Sequence, residues 1–299
     1  MSIHLRGERI GDEDAIDVVN CSAFGSMEEA NIVRNMRTYY PAYDRRYSVT
    51  AWEDDDIVGH VLFSPARIRL MGETLSALAV GPVAVIPKRQ RQGIGGRLLR
   101  YGHELGKREG FACAFLQGHP SYYPRHGYRP CYGFAKTTID TDKLPEPSRK
   151  FLRLPVRGAD IPWLVERWEI EWRDVDFGWL WGTAPGEWAI PGIDTKMWWT
   201  EDGHRAAYTI GDKLIIAENP AWAREVIAFL KPKQLDHHPS GWLTRHVLDA
   251  EWAAAEVNRS DAAMVYEFRK GMLEEYLKAL ESGERLPGVT AFPLPFKVC

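Results

Sequence analysis

The stretch from Leu78 to Glu109 limits what this chain can become more than any other. Leu78-Ala79-Val80-Gly81-Pro82-Val83-Ala84-Val85-Ile86 is an apolar run long enough for one buried strand and too short to cross a membrane. Pro87-Lys88-Arg89-Gln90-Arg91-Gln92-Gly93-Ile94-Gly95-Gly96 then places three glycines where a helix begins, because Ile94, Leu98, Tyr101 and Leu105 recur at helical spacing. The segment reads strand, glycine-rich turn, helix. The first N–H groups of a helix lack intrahelical partners, and the aligned peptide dipoles leave positive potential there. Glycine tolerates positive φ and, having no side chain, lets an anion approach successive N–H groups. Lys88, Arg89, Arg91, Arg97 and Arg100 crowd the same stretch, and no acid stands between Pro87 and Tyr101. A polyphosphate is the ligand such a turn suits.

The spacing narrows the family. A dinucleotide fold needs G-x-G-x-x-G with an acid about 20 residues on, and a P-loop needs Gly-Lys-Ser/Thr; here Gly96 is followed by Arg97 and Leu98. The frame Gln90-x-x-Gly93-x-Gly95 resembles the phosphate-binding signature of the GNAT superfamily of acetyl-CoA-dependent N-acetyltransferases. Downstream, Phe111-Ala112-Cys113-Ala114-Phe115-Leu116 reads as a strand, and the frame from Tyr123 to Tyr128, Tyr-x-x-x-Gly-Tyr, resembles that family's Tyr-x-x-x-Gly-Phe element. Two matches in order, separated by a helix and a strand, specify more than either alone.

The resemblance implies an α/β (α+β) fold with a mixed, mostly antiparallel sheet flanked by helices over residues 1–142, and acetyl-CoA as co-substrate. It implies main-chain hydrogen bonds from Val83, Ala84 and Val85 to the pantetheine arm, and a pyrophosphate cradle at Gln90, Arg91, Gln92, Gly93, Ile94, Gly95 and Gly96. Gly118 and His119 would lie where two strands splay around the thioester. Tyr123 would be the acid for the departing thiolate. The general base stays open: the strand from Leu75 to Val85 carries no carboxylate, leaving His119 or water relaying a proton to a more distant acid; separately, the carboxylate of Cys299 could enter the site. The last follows a likeness to acetyltransferases of the enhanced-intracellular-survival type, whose C-terminal carboxylate enters the site.

Before this core, Ile3–Arg6 reads as a strand. Asp12-Glu13-Asp14 is placed to cap a helix, and a second helix spans 27–37. Strands at 47–52, 57–63, 66–71 and 74–86 follow, with the acidic run Glu53–Asp56 a solvated tip. Tyr39, Tyr40 and Tyr43 suit packing over the sheet better than substrate contact. A linker at 143–148 precedes a second α+β domain over 150–299, readable as a degenerate GNAT-like unit without a second phosphate signature. Within it a hairpin turns at Gly211-Asp212, a helix covers 222–230, and one apolar-periodic segment runs from Met264 to Leu280. Of 12 tryptophans only Trp52 precedes residue 150; packing explains this better than a cage for a cationic amine. Asp236-His237-His238 reads as a polar turn rather than a metal site, and the apolar tail from Leu286 should pack on the body.

A net charge of -3 and a pI near 6.3 argue against a general nucleic-acid binder. With no leader pattern and no long apolar run, the chain is expected in the cytoplasm and off the membrane. Cys21, Cys113, Cys131 and Cys299 form no C-x-x-C pair and are expected as thiols. The function expected is direct transfer of an acetyl group to a primary amine of a small molecule or peptide. The alternative is a non-catalytic acyl-CoA sensor or partner-binding protein, and the aromatic segment also suits a homo-oligomer interface.

Overall fold

The computed structural model describes residues 3–296. The first half contains β1 (Ile3–Gly7), α1 (Glu13–Phe24), α2 (Glu28–Tyr39), β2 (Ser48–Glu53), β3 (Asp56–Leu70), β4 (Glu73–Val85), α3 (Ile94–Arg108), β5 (Cys113–Gln117), β6 (Arg129–Pro130) and β7 (Gly133–Ile139). The second contains β8 (Phe151–Leu154), α4 (Ile161–Glu171), β9 (Phe177–Leu180), α5 (Pro185–Trp188), β10 (Thr195–Thr200), β11 (Arg205–Ile210), β12 (Lys213–Ala217) and α6 (Pro220–Leu230). It ends with β13 (Gln234–Leu235), α7 (Trp242–His246), β14 (Ala253–Arg259), β15 (Ala263–Glu267) and α8 (Glu274–Glu281).

The large sheet has eight strands in the order β1-β2-β3-β4-β5-β15-β6, with β9 beside the outer half of β3. All its pairs are antiparallel except β4 with β5. A four-stranded sheet runs β12-β11-β10-β8, and β7 sits between β13 and β14 in a third. The linker at 143–148 therefore does not divide the sheets. The halves exchange strands: β7 pairs only with strands of the second half, and β15 enters the first half between β5 and β6.

Several expectations change in detail. The strands expected at 57–63 and 66–71 are one, β3, running through Pro65. The Pro65 carbonyl accepts the Tyr40 hydroxyl, so the backbone there faces the gap between β2, whose pairing ends at Leu62, and β9, whose pairing begins at Arg67. No ladder bond needs the missing N–H. Asp12 does not cap α1 with its side chain; its carboxylate is taken by Arg6 and the Arg9 N–H. The segment expected as continuous from Met264 to Leu280 divides into β15 and α8, with Gly271 at φ +81 between them.

One core cluster lies between α1 and α2 and the tryptophans of the second half, and another lies under α3. Most of the aromatic residues pack on one another. Trp168 stacks on Trp181 at 4.4 Å, and Trp179 meets Tyr40, Phe115, Phe292 and Phe296 edge to face. Tyr40 is buried, and Tyr43 donates to Glu8. The tail packs on the body, with Leu294 and Pro295 buried and Trp181 donating to the Ala291 carbonyl. Cys299 lies outside the described residues.

His237 and His238 are interior anchors rather than a polar turn. His237 faces Glu171 through Nδ1 and the Leu214 carbonyl through Nε2. Burial presses its pKa down, but those two partners outweigh burial and the pKa is raised. His238 bonds the Pro287 carbonyl and the Ser240 N–H. Among the described residues no helix is long and apolar enough to cross a membrane.

Candidate active site

The site is built by a parting of strands. β4 and β5 pair only over Ala77–Ala79 and Cys113–Phe115. Beyond that point β4 stays with β3 and β5 with β15, and a wedge opens between them. In β4 the register slips between Val61 and Phe63 opposite Gly81-Pro82. The Ile86 N–H bonds Val58 across the ladder, so by alternation the main-chain groups of Ala84 face β3 while those of Val83 and Val85 face the wedge. Of the three residues expected to line it, Val83 and Val85 do so; Ala84 is spent on the sheet.

At the wide end of the wedge lies the N-terminus of α3. Arg91 and Gly93 both adopt positive φ, +60° and +79°, and a Cβ at Gly93 would meet nothing. That turn aims the first N–H groups of α3 outward. The Gln90 amide donates to the Val85 carbonyl and Gln92 to Lys88, bracing the turn from its side chains. Ile94 is buried under the helix. Of the nearby cations, Arg89 pairs with Glu53 and Arg97 bonds the Ile3 carbonyl. Lys88, Arg91 and Arg100 make no ion pair with a described carboxylate.

Gly95 and Gly96 have a further role. A Cβ at Gly95 would lie 2.5 Å from the Tyr122 hydroxyl, and one at Gly96 would lie 2.6 Å from Cε1 of His126. Their bareness admits the turn Tyr123–His126, which folds across the end of α3. The His119 carbonyl starts that turn by accepting the Tyr122 and Tyr123 N–H groups, while its imidazole is exposed. The Gly118 N–H is engaged by the Ala262 carbonyl, and a Cβ on Gly118 would lie 2.2 Å from the Tyr123 ring. Tyr123 therefore lies flat on the chain at the wedge, packed edge to face with Tyr122 and Tyr128. Burial, with Tyr122 adding to it, pushes its pKa well above the ordinary phenol value. Tyr128 is tied to His103 of α3 at 2.9 Å.

The two faces of the sheet differ. Leu116 packs with Tyr123 under α3, whereas Phe115 meets Phe177 and Trp179 on the other face. Gln117 shares the face of Phe115 by alternation and lines a cavity of about 560 Å³ with Trp168, Trp172, Trp181, Phe292 and Phe296. The carboxylates at its wall are already engaged, Glu171 by His237 and Asp236 by Lys213. Sequence reasoning missed Tyr122, His126 and β15. The first two stand beside or within the variable positions of the tyrosine frame, which a pattern passes over, and β15 is defined only by distant pairing.

Comparison with known proteins agrees with this geometry. The family model for an acetyltransferase (GNAT) domain matches residues 8–131. The uncharacterized N-acetyltransferase YjhQ of Escherichia coli K12 is 39% identical over 141 residues, which cover 44% of this chain and 75% of that protein. YhbS from the same organism, also an uncharacterized N-acetyltransferase, is 28% identical over 117 residues, covering 39% and 68%. Two solved structures resemble nearly the whole chain. A GCN5-related N-acetyltransferase from Kribbella flavida has a TM-score of 0.68 at 16% identity, over 91% of this chain and 73% of that one. Eis1 from Mycobacterium abscessus gives 0.61 at 15%, over 89% and 74%. At such identities the likeness is one of fold, and it extends through both halves. With the wedge, the glycine turn and the placed tyrosine, the chain belongs to the GNAT family of acetyltransferases.

Proposed function

We propose that the protein transfers the acetyl group of acetyl-CoA directly to a primary amine of a small molecule or peptide. The observation that carries this reading is the wedge between β4 and β5, which leads from the outward N–H groups of α3 to the ring of Tyr123. When bound, acetyl-CoA supplies an activated thioester. Val83 and Val85 would bond its pantetheine arm like an added strand. The first N–H groups of α3, with Lys88, Arg91 and Arg100 around them, would hold the pyrophosphate.

Tyr123 is the catalytic residue of this reading. A thiol titrates near 8.5 and a phenol near 10, and burial widens that gap. The phenol stays protonated through the alkaline range and acts chiefly as a hydrogen-bond donor to the leaving sulfur, whose final proton derives from the amine. The acceptor would approach from the face of Gln117 and the tryptophans, opposite α3.

Calorimetric titration with acetyl-CoA tests the site. The wild type should bind, and Gly93→Glu, which strains the turn and puts an anion in the cradle, should abolish binding. Tyr123→Phe should lower kcat about a hundredfold while leaving acetyl-CoA affinity little changed. No binding by folded wild type would refute the reading; undiminished turnover in Tyr123→Phe would remove the role of Tyr123.

A further inference from the structure

We propose that His126 is a phosphate-binding residue of the coenzyme site, pairing as an imidazolium with the pyrophosphate at the N-terminus of α3, so that coenzyme binding takes up a proton. The inference rests on the reading of α3 as the acetyl-CoA cradle and goes beyond it, because a cradle of backbone N–H groups alone has no titratable member.

The geometry is specific. The imidazole lies over Gly96, in the first turn of α3, so closely that a methyl group there would come within 2.6 Å of Cε1. The Tyr122 ring backs it at 4.8 Å. The charged and titratable groups facing it are Arg125 from its own turn and Arg100 and His103 from α3. No carboxylate is among them, and no described residue hydrogen-bonds either ring nitrogen. Arg100 and Arg125 also make no ion pair with a described carboxylate. A half-buried imidazole beside two guanidiniums and a helix N-terminus has its charged neighbours set against its own charge; partial burial, then Arg100 and Arg125, hold its pKa below the ordinary value.

Such an arrangement is costly to the charged ring until an anion arrives. A phosphate placed against the α3 N–H groups reverses the local potential, since an opposite charge within hydrogen-bond reach favours the imidazolium. The pKa of His126 then rises on binding. By linkage, affinity is greatest at low pH and falls as pH rises from the pKa of the free enzyme to that of the complex. The turn that carries His126 also carries Tyr123, so the contact at the phosphate end holds the element that presents the phenol to the thioester.

The test is calorimetric titration of the full-length protein with acetyl-CoA between pH 6.5 and 8.5, in buffers of different ionisation enthalpy, for wild type and His126→Phe. Ionisation of the ligand's own phosphates is common to both proteins and cancels in the comparison. The wild type should take up a proton on binding, and its affinity should decline with pH. His126→Phe should lose both effects and bind about tenfold more weakly near pH 7. His126→Gln, smaller and neutral, guards against a steric fault of phenylalanine over Gly96 and should behave the same. Pantetheine, which lacks the pyrophosphate, should bind all three proteins alike. Unchanged affinity and proton uptake in both folded variants would overturn the proposal while leaving the coenzyme reading intact. Failure of the wild type to bind acetyl-CoA at any pH would overturn the coenzyme reading, and this inference with it.

Discussion

At the residue scale, the site depends on side chains that are absent as much as on those present. Gly118 has no Cβ to obstruct Tyr123; a methyl group 2.2 Å from Cε2 would displace the ring by more than an ångström. Gly118→Ala should lower kcat about a hundredfold, as misplacement on that scale does, with acetyl-CoA affinity preserved in titration. Two buried histidines make stability depend on acid. His60 bonds Ser48 and Asn20 in a wholly buried chain ending at Glu8, and burial, with Arg37 nearby, holds its pKa down to about 3. Burial does the same for His103, with Lys107 and His126 adding to it, again to about 3. Both stay neutral in the fold and take up protons when unfolded, so below about pH 6.5 stability falls with pH by about 1.4 kcal/mol per unit for each. His237, with its raised pKa, acts the other way, so the test is comparative: the fall in urea midpoint from pH 7 to pH 5.5 should be smaller in His103→Gln than in wild type, and an equal fall would show that this ring is not held neutral. The positive φ at Gly93 was legible because it follows from local backbone chemistry; the bond from Gln90 to the Val85 carbonyl was not, since the resemblance marked Gln90 only for the phosphate turn. The roles of Gly95, Gly96 and Gly118 were legible as glycine but not in reason, since the atoms that need the space arrive from the turn at Tyr123–His126.

At the element scale, legibility followed the range of the interaction. The hairpin of β11 and β12 was readable to the residue, because alternating strands and the Gly211-Asp212 turn are written within a dozen positions. α3 was readable for the same reason. β15 was not: its short run, Ala263-Met264-Val265-Tyr266-Glu267, becomes a strand only beside β5, whose residues lie about 150 positions earlier. The same exchange sets an expectation for dissection. A chain ending at 142 would retain the cradle but leave the outer edge of β5 unpaired, and β7 would lack both neighbours. Expressed alone it should aggregate or fail to bind acetyl-CoA. Co-expressed with residues 148–299 it should recover soluble, binding-competent protein, as read by co-purification and titration. A soluble, binding-competent 1–142 fragment would show that β15 is dispensable to the wedge.

At the scale of the whole molecule, the first half provides the coenzyme face and the second covers the opposite one. The cavity at Gln117 is walled by aromatic rings, and its neighbouring carboxylates are already engaged, Asp236 by Lys213 and Glu171 by His237, so it offers apolar surface more than free charge. Linking two halves through exchanged strands also gives the molecule a history. At roughly 5–20 residues per second, a ribosome needs roughly seven to thirty seconds to pass from β5 to β15. During that interval β5, one wall of the wedge, has no outer neighbour. On this expectation a working site waits for β15 to emerge. A chain cut short before Ala263 should then present an open sheet edge at β5, a surface for the cell's quality control to act on.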